Sequence, residues 1–137
     1  MKKNAFSLIE LILAIFILTV AVFGSFALIQ RIAVFAYASQ NKLTAYYLAQ
    51  EGIENVRNIR DNNWLQSKEN WTDGLPINIE VAEPNLLGMF TRKTLVKIDE
   101  TEKNLLKVTV TVSWQEHGRQ SQVQVMTNLY NWYALSQ

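Results

Sequence analysis

The chain of 137 residues has no cysteine, two prolines, five glycines and one histidine. Without cysteine there is no disulfide staple, no thiolate metal site, no redox pair and no thiol nucleophile, so any part outside the cytoplasm folds without cross-links. Its length is that of a single domain and excludes a multidomain enzyme. Charge is balanced, with 13 Lys plus Arg against 12 Asp plus Glu. The basic residues are scattered from Lys2 to Arg119 and form no patch dense enough for phosphate contacts, which argues against a nucleic-acid partner. Missing too are Gly-x-Ser-x-Gly, His-Glu-x-x-His and a Gly-rich phosphate loop, the minimum parts of a hydrolase, a zinc protease and a nucleotide site. His117 falls in a charged turn beside Glu116 and reads as solvated. No enzymatic activity and no cofactor is expected.

What is present is concentrated at the amino terminus. After Lys2, Lys3 and Asn4 the chain is apolar from Ala5 to Ile29, with Glu10 as the one charge, and Leu11 to Gln30 is charge-free. A hydrocarbon core of about 30 Å needs about 20 apolar residues at about 1.5 Å each, so this run predicts a transmembrane helix. The lysines before it keep the short amino-terminal end cytoplasmic and place the remainder outside. Ser25-Phe26-Ala27 and Ala36-Tyr37-Ala38 fit the small-x-small pattern of a signal-peptide site, with release at Leu28 or Ser39. The apolar run is about twice a signal peptide's 7 to 15 residues, which argues against release. Glu10 has two readings. A carboxylate in lipid costs a few kcal/mol and is usually paired or functional. Alternatively, Ser7-Leu8-Ile9-Glu10 has the spacing of a capping box, and a first-turn carboxylate complements the helix dipole.

Lys2-Lys3-Asn4-Ala5, then Phe6-Ser7-Leu8-Ile9-Glu10 and an apolar run, resembles the leader of a type IV prepilin. The resemblance implies cleavage by a membrane-embedded prepilin peptidase between Ala5 and Phe6, and N-methylation of Phe6. Glu10 becomes the fifth mature residue, the position whose carboxylate pairs with a neighbouring subunit's amino terminus during assembly. The family usually has Gly before the cut, where this chain has the small residue Ala5. The stem segment Tyr47-Leu48-Ala49-Gln50-Glu51-Gly52-Ile53-Glu54-Asn55-Val56-Arg57, with Val112-Ser113-Trp114 before a turn and a final strand, is similar to minor pilins. These include the type IV pilus modification protein and the small I-type pseudopilin of type II secretion. The partners implied are other pilin or pseudopilin subunits, the prepilin peptidase, the inner-membrane assembly platform and the bilayer. The implied location is the inner membrane and then a filament. A bitopic anchor whose outer head binds a partner without polymerising, and a filament tip with an adhesive or DNA-binding head, are the other readings.

Beyond Arg31 nothing stops the helix. Phe35, Ala38, Ala45, Tyr46, Ala49, Ile53 and Val56 fall on one side at 3.6-residue spacing, and Gln40, Thr44, Glu51, Glu54, Asn55 and Asn58 on the other. Glu54 with Arg57 and Arg57 with Asp61 stand at ion-pairing spacings. A single helix from Ser7 to Asn58 would be about 78 Å long. Asp61-Asn62-Asn63 predicts its end, and residues 64–74 a connecting loop. Ile77, Ile79 and Val81 suggest a short strand ended by Pro84. Three clearer strands follow: Phe90 to Asp99; Leu106 to Trp114, alternating Val108, Val110 and Val112 with Lys107, Thr109, Thr111 and Ser113; and Val123 to Leu129. Turns at Asp99 to Asn104 and Gln115 to Gln120 join them in a meander. One sheet face needs a cover, and the stem offers the one large apolar stripe. The fold predicted is α+β: a leader 1–5, a transmembrane half-helix 6–30, an amphipathic stem 31–62 and an antiparallel β head 63–137. Asp99, Glu100 and Glu102 read as a solvated turn, since the residue order of a Ca²⁺ loop is missing. Asn70-Trp71-Thr72 is formally a glycosylation sequon. Trp64, Trp71, Trp114 and Trp132, with Tyr130 and Tyr133, are candidates for a binding surface, with Trp114 assigned to the core.

Overall fold

The computed structural model describes residues 7–66, 68, 70–116 and 118–132. One helix, α1 (Leu8–Leu65), is followed by four strands, β1 (Glu80–Leu86), β2 (Phe90–Ile98), β3 (Leu105–Glu116) and β4 (Arg119–Tyr130). The strands form one antiparallel sheet in the order β1-β2-β3-β4, so the arrangement is α+β and fits a pilin-like fold. The chain divides into two units, residues 1–39 and 40–137.

Through the first unit α1 has no buried residue. Its apolar side chains stay exposed past Arg31, with Ile32, Val34, Phe35 and Tyr37 all turned outward. Thr19 and Ser25 return their hydroxyls to the carbonyls of Ile15 and Ala21, which hides two polar groups within the helix itself.

In the second unit, Ala45, Leu48, Ala49, Gly52, Ile53, Val56, Arg60 and Asn63 of α1 are buried, a stripe at intervals of three and four. It covers the face of the sheet made by Phe90, Val96, Leu106, Val108, Val110, Val112, Trp114, Val123 and Leu129. Period-two alternation sends these side chains to one face and Lys93, Thr109 and Thr111 to the other. Val96, Leu106, Val108, Val110 and Val112 are completely buried, each contributing about 1.5–3 kcal/mol. The β3–β4 register is one-to-one over twelve pairs, from Leu105 with Tyr130 to Glu116 with Arg119.

Several expectations are corrected. Phe35 and Tyr46 are exposed, and Leu48 and Gly52 occupy the buried stripe instead. The helix passes through Asp61-Asn62-Asn63 and ends at Leu65. Asn63 is buried there, and its amide donates to the carbonyls of Trp71 (3.1 Å) and Asp73 (2.8 Å), so it clasps the following loop rather than ending the helix. Asp61 pairs with Arg60, while Arg57 keeps Glu54. The first strand starts at Glu80, leaving Ile79 exposed and Ile77 in a lone parallel bridge to Val96. It also runs through Pro84, because β1 is an edge strand and its register shifts between Glu83 and Leu86, where no ladder amide is needed.

Candidate functional site

The candidate site is the amino-terminal helix, and of the residues assigned to it Glu10 lies within the described part. Lys2, Lys3, Ala5 and Phe6 lie outside the described residues. Glu10 is in the first turn of α1 and exposed. Two main-chain bonds close that turn, from the Glu10 amide (3.0 Å) and the Leu11 amide (3.2 Å) to the Ser7 carbonyl. The reciprocal side-chain bonds of a capping box do not occur among the described residues, and the Glu10 carboxylate has no ion-pair partner among them. Around it every apolar side chain from Leu8 to Ile29 is outward. This helix is long and apolar enough to cross a membrane.

No family model, curated protein or solved structure matches the chain.

The second unit holds its polar groups in structural roles. Arg92 alternates in phase with Phe90, Thr94 and Val96 and is carried under the helix, 2% exposed. Its Nη1 donates to the Leu48 carbonyl (2.9 Å) and its Nε to Glu83 (2.6 Å), with Glu51 at 3.3 Å. The Glu83 hydrogen bond, with its charge, raises the Arg92 pKa against the opposing effect of burial, and Glu83 is lowered in return. Gly52 gives the guanidinium stem its room: a Cβ there would lie 3.0 Å from Arg92 Cδ and 3.1 Å from Val110 Cγ1. Sequence reasoning missed Arg92 and the role of Gly52. The signal available was the strand phase, which puts Arg92 on the inward face.

The opposite end of the helix carries an aromatic cluster. Arg60 stands 4.5 Å over the Trp64 ring and donates to the Tyr130 carbonyl at 3.4 Å. Trp64 meets Trp132 edge-on at 4.4 Å and donates its indole N–H to Asn131 (3.1 Å). Trp132 stays 56% exposed, Trp71 packs against the core, and Trp114 is buried beside Phe90. In the β2–β3 turn the Asp99 carboxylate is engaged. The Lys107 ammonium, then the Thr101 hydroxyl and the Thr101 and Glu102 amides, hold it well below the usual carboxylate range. His117 lies outside the described residues.

Proposed function

We propose that this chain is a non-enzymatic structural subunit, a minor pilin or pseudopilin. It is held in the inner membrane by α1 with its head outside the cytoplasm. A prepilin peptidase cuts it between Ala5 and Phe6, Phe6 is N-methylated, and the helix then enters a type IV pilus or a type II secretion pseudopilus. The observation that carries this reading is a helix with no buried residue through the first unit, whose apolar surface bears a single carboxylate, Glu10, in the first turn. The leader pattern from Lys2 to Phe6 and the α+β head supply its context.

The mechanism is assembly. Lipid satisfies the apolar side chains of a lone subunit but leaves the Glu10 carboxylate at a cost of a few kcal/mol. Stacking subunits replaces lipid contacts by helix packing and gives Glu10 the amino terminus of a neighbour, so register is fixed where charge is neutralised. Glu10→Ala or Glu10→Val is expected to stay in the membrane fraction and to be lost from purified filaments. Normal incorporation of either variant would contradict the register role.

A further inference from the structure

The two edges of the sheet in the second unit are not alike. β1 is short and blunted: it carries Glu80, Glu83 and Pro84, its register shifts between Glu83 and Leu86, and Asn85 turns to φ +60°. β4 has none of these devices. Its pairing with β3 runs unbroken from Arg119 to Tyr130, without proline, glycine or bulge, and residues 120–137 carry no charge. Among the described residues no segment pairs with its outer side. A long, uncharged edge is a template for another strand, and folds that have no use for one protect it.

The register of β4 fixes which groups are on offer. The Asn131 amide donates to the Asn104 carbonyl at 2.8 Å, one step beyond the pairing of Tyr130 with Leu105. Bonded pairs alternate along an antiparallel ladder, so Ser121, Val123, Val125, Thr127 and Leu129 bond β3 through their main chain. Gln120, Gln122, Gln124, Met126 and Asn128 direct their amides and carbonyls outward, along about 26 Å of edge. Their side chains are exposed on the sheet face away from α1. At Tyr130 the row closes, because Arg60 donates to that carbonyl.

The other side of an added strand meets α1. Glu51 turns toward Arg92, on the β1 side, whereas Trp64 bonds Asn131 just beyond β4. Tyr46 lies about five turns before Trp64 on the same line of the helix and is 44% exposed. Tyr46 and the half-buried Val125 therefore border the open edge.

We propose that the outer edge of β4 is a strand-addition site for another protein. Its occupant is an extended, uncharged segment of about eight residues that alternates apolar with amide or hydroxyl side chains. The apolar side chains cover Tyr46 and Val125, the polar ones lie among the carboxamides of Gln120, Gln122, Gln124 and Asn128, and the main chain takes the outward amides and carbonyls. A second copy suits the edge less well, because the inward side chains its β4 would bring, Val123 and Leu129, are already buried in its own core. The site belongs to the second unit alone and stands whether or not the first unit spans a membrane.

The probe is the acetylated and amidated peptide of residues 108–114, Val-Thr-Val-Thr-Val-Ser-Trp, which is uncharged and has the alternation that β4 already accepts from β3. Amide hydrogen exchange is followed by NMR on the full chain in detergent micelles. In the protein alone the amides of Gln122, Gln124 and Met126 are expected to exchange freely, and those of Val123, Val125 and Thr127 to be protected. Peptide bound to about nine-tenths of the protein should slow the first set about tenfold and leave the second unchanged. Gln124→Pro, which removes an amide that β3 does not use, should melt like the parent and lose the peptide. A peptide N-methylated at successive residues, with the same side chains and no donors, should not bind. No slowing at millimolar peptide overturns the proposal, and equal binding of the N-methylated peptide overturns it by placing the contact on side chains. Outward amides already protected in the protein alone also overturn it: the occupant is a second copy where protection falls on dilution and a segment of the chain itself where it does not.

Discussion

Gly52→Ala sets two opposed effects against each other in the middle of the buried stripe. In an open helix interior this change stabilises by about 1 kcal/mol. Here the new methyl would meet Arg92 Cδ at 3.0 Å and Val110 at 3.1 and 3.4 Å. Neither neighbour retreats easily. Arg92 is tied through its Nε to Glu83 and its Nη1 to Leu48, and Val110 is fully buried between β2 and β4. Overpacking of this kind costs about 1–3 kcal/mol. The net is a loss centred near 1 kcal/mol, or about 4–8 °C in Tm for a domain of this size. The assay is thermal unfolding of the full chain in detergent, followed by tryptophan fluorescence. All four tryptophans, Trp64, Trp71, Trp114 and Trp132, belong to the second unit, so the signal reports that unit alone. Val110→Ala in the same background makes room for the methyl, and a coupling of at least about 0.5 kcal/mol is expected between the two changes. A Gly52→Ala protein with a raised Tm would show that the sheet does not approach the helix this closely.

Two further outcomes follow from Arg92. Arg92→Ala removes buried methylenes and charge-assisted hydrogen bonds and is expected to cost about 2–4 kcal/mol, whereas Arg92→Met, which refills the volume, should recover most of that in the same melt. The second concerns acid. Glu83 is lowered by its hydrogen bond from Arg92, so its contribution is complete above the ordinary value of 4.5 and is lost as pH falls below it through the folded value. Asp99, held low by Lys107, behaves the same way below 3.8. Melts from pH 7 to pH 3 should therefore show Glu83→Gln less stable than the parent at neutral pH, with the gap closing in acid. A gap independent of pH would remove the ion pair from the account.

The parts of the fold legible in the sequence are those where one physical signal dominates. The valines of β3 alternate with threonine and lysine, and Val123 and Leu129 of β4 follow the same period, so their inward faces could be read directly. The stem was harder, because a hydrophobic stripe recognises Tyr46 and passes over Gly52, Arg60 and Asn63. Gly52 is buried for its lack of a side chain, and the other two for hydrogen bonds made to loops distant in sequence. Period alone places Phe35 on the side of the helix that faces the head. That period cannot tell a sheet from lipid as the cover. Pro84 reads as a strand end in the sequence, although an edge with a shifted register tolerates it. At the candidate site, the isolation of Glu10 in an apolar run is plain from the sequence, whereas the main-chain bonds from Glu10 and Leu11 to the Ser7 carbonyl that close the first turn are visible only in the structure.

The central claim is most directly tested at the amino terminus. Intact mass and fragmentation would be measured on full-length protein from membranes of cells with and without a prepilin peptidase. A peptidase-dependent start at Phe6, carrying a methyl group, is predicted. A start at Met1 in both, with Lys2 and Lys3 retained, would contradict the pilin account and leave a membrane-anchored head that does not polymerise, and a start at Leu28 or Ser39 would make it a secreted domain.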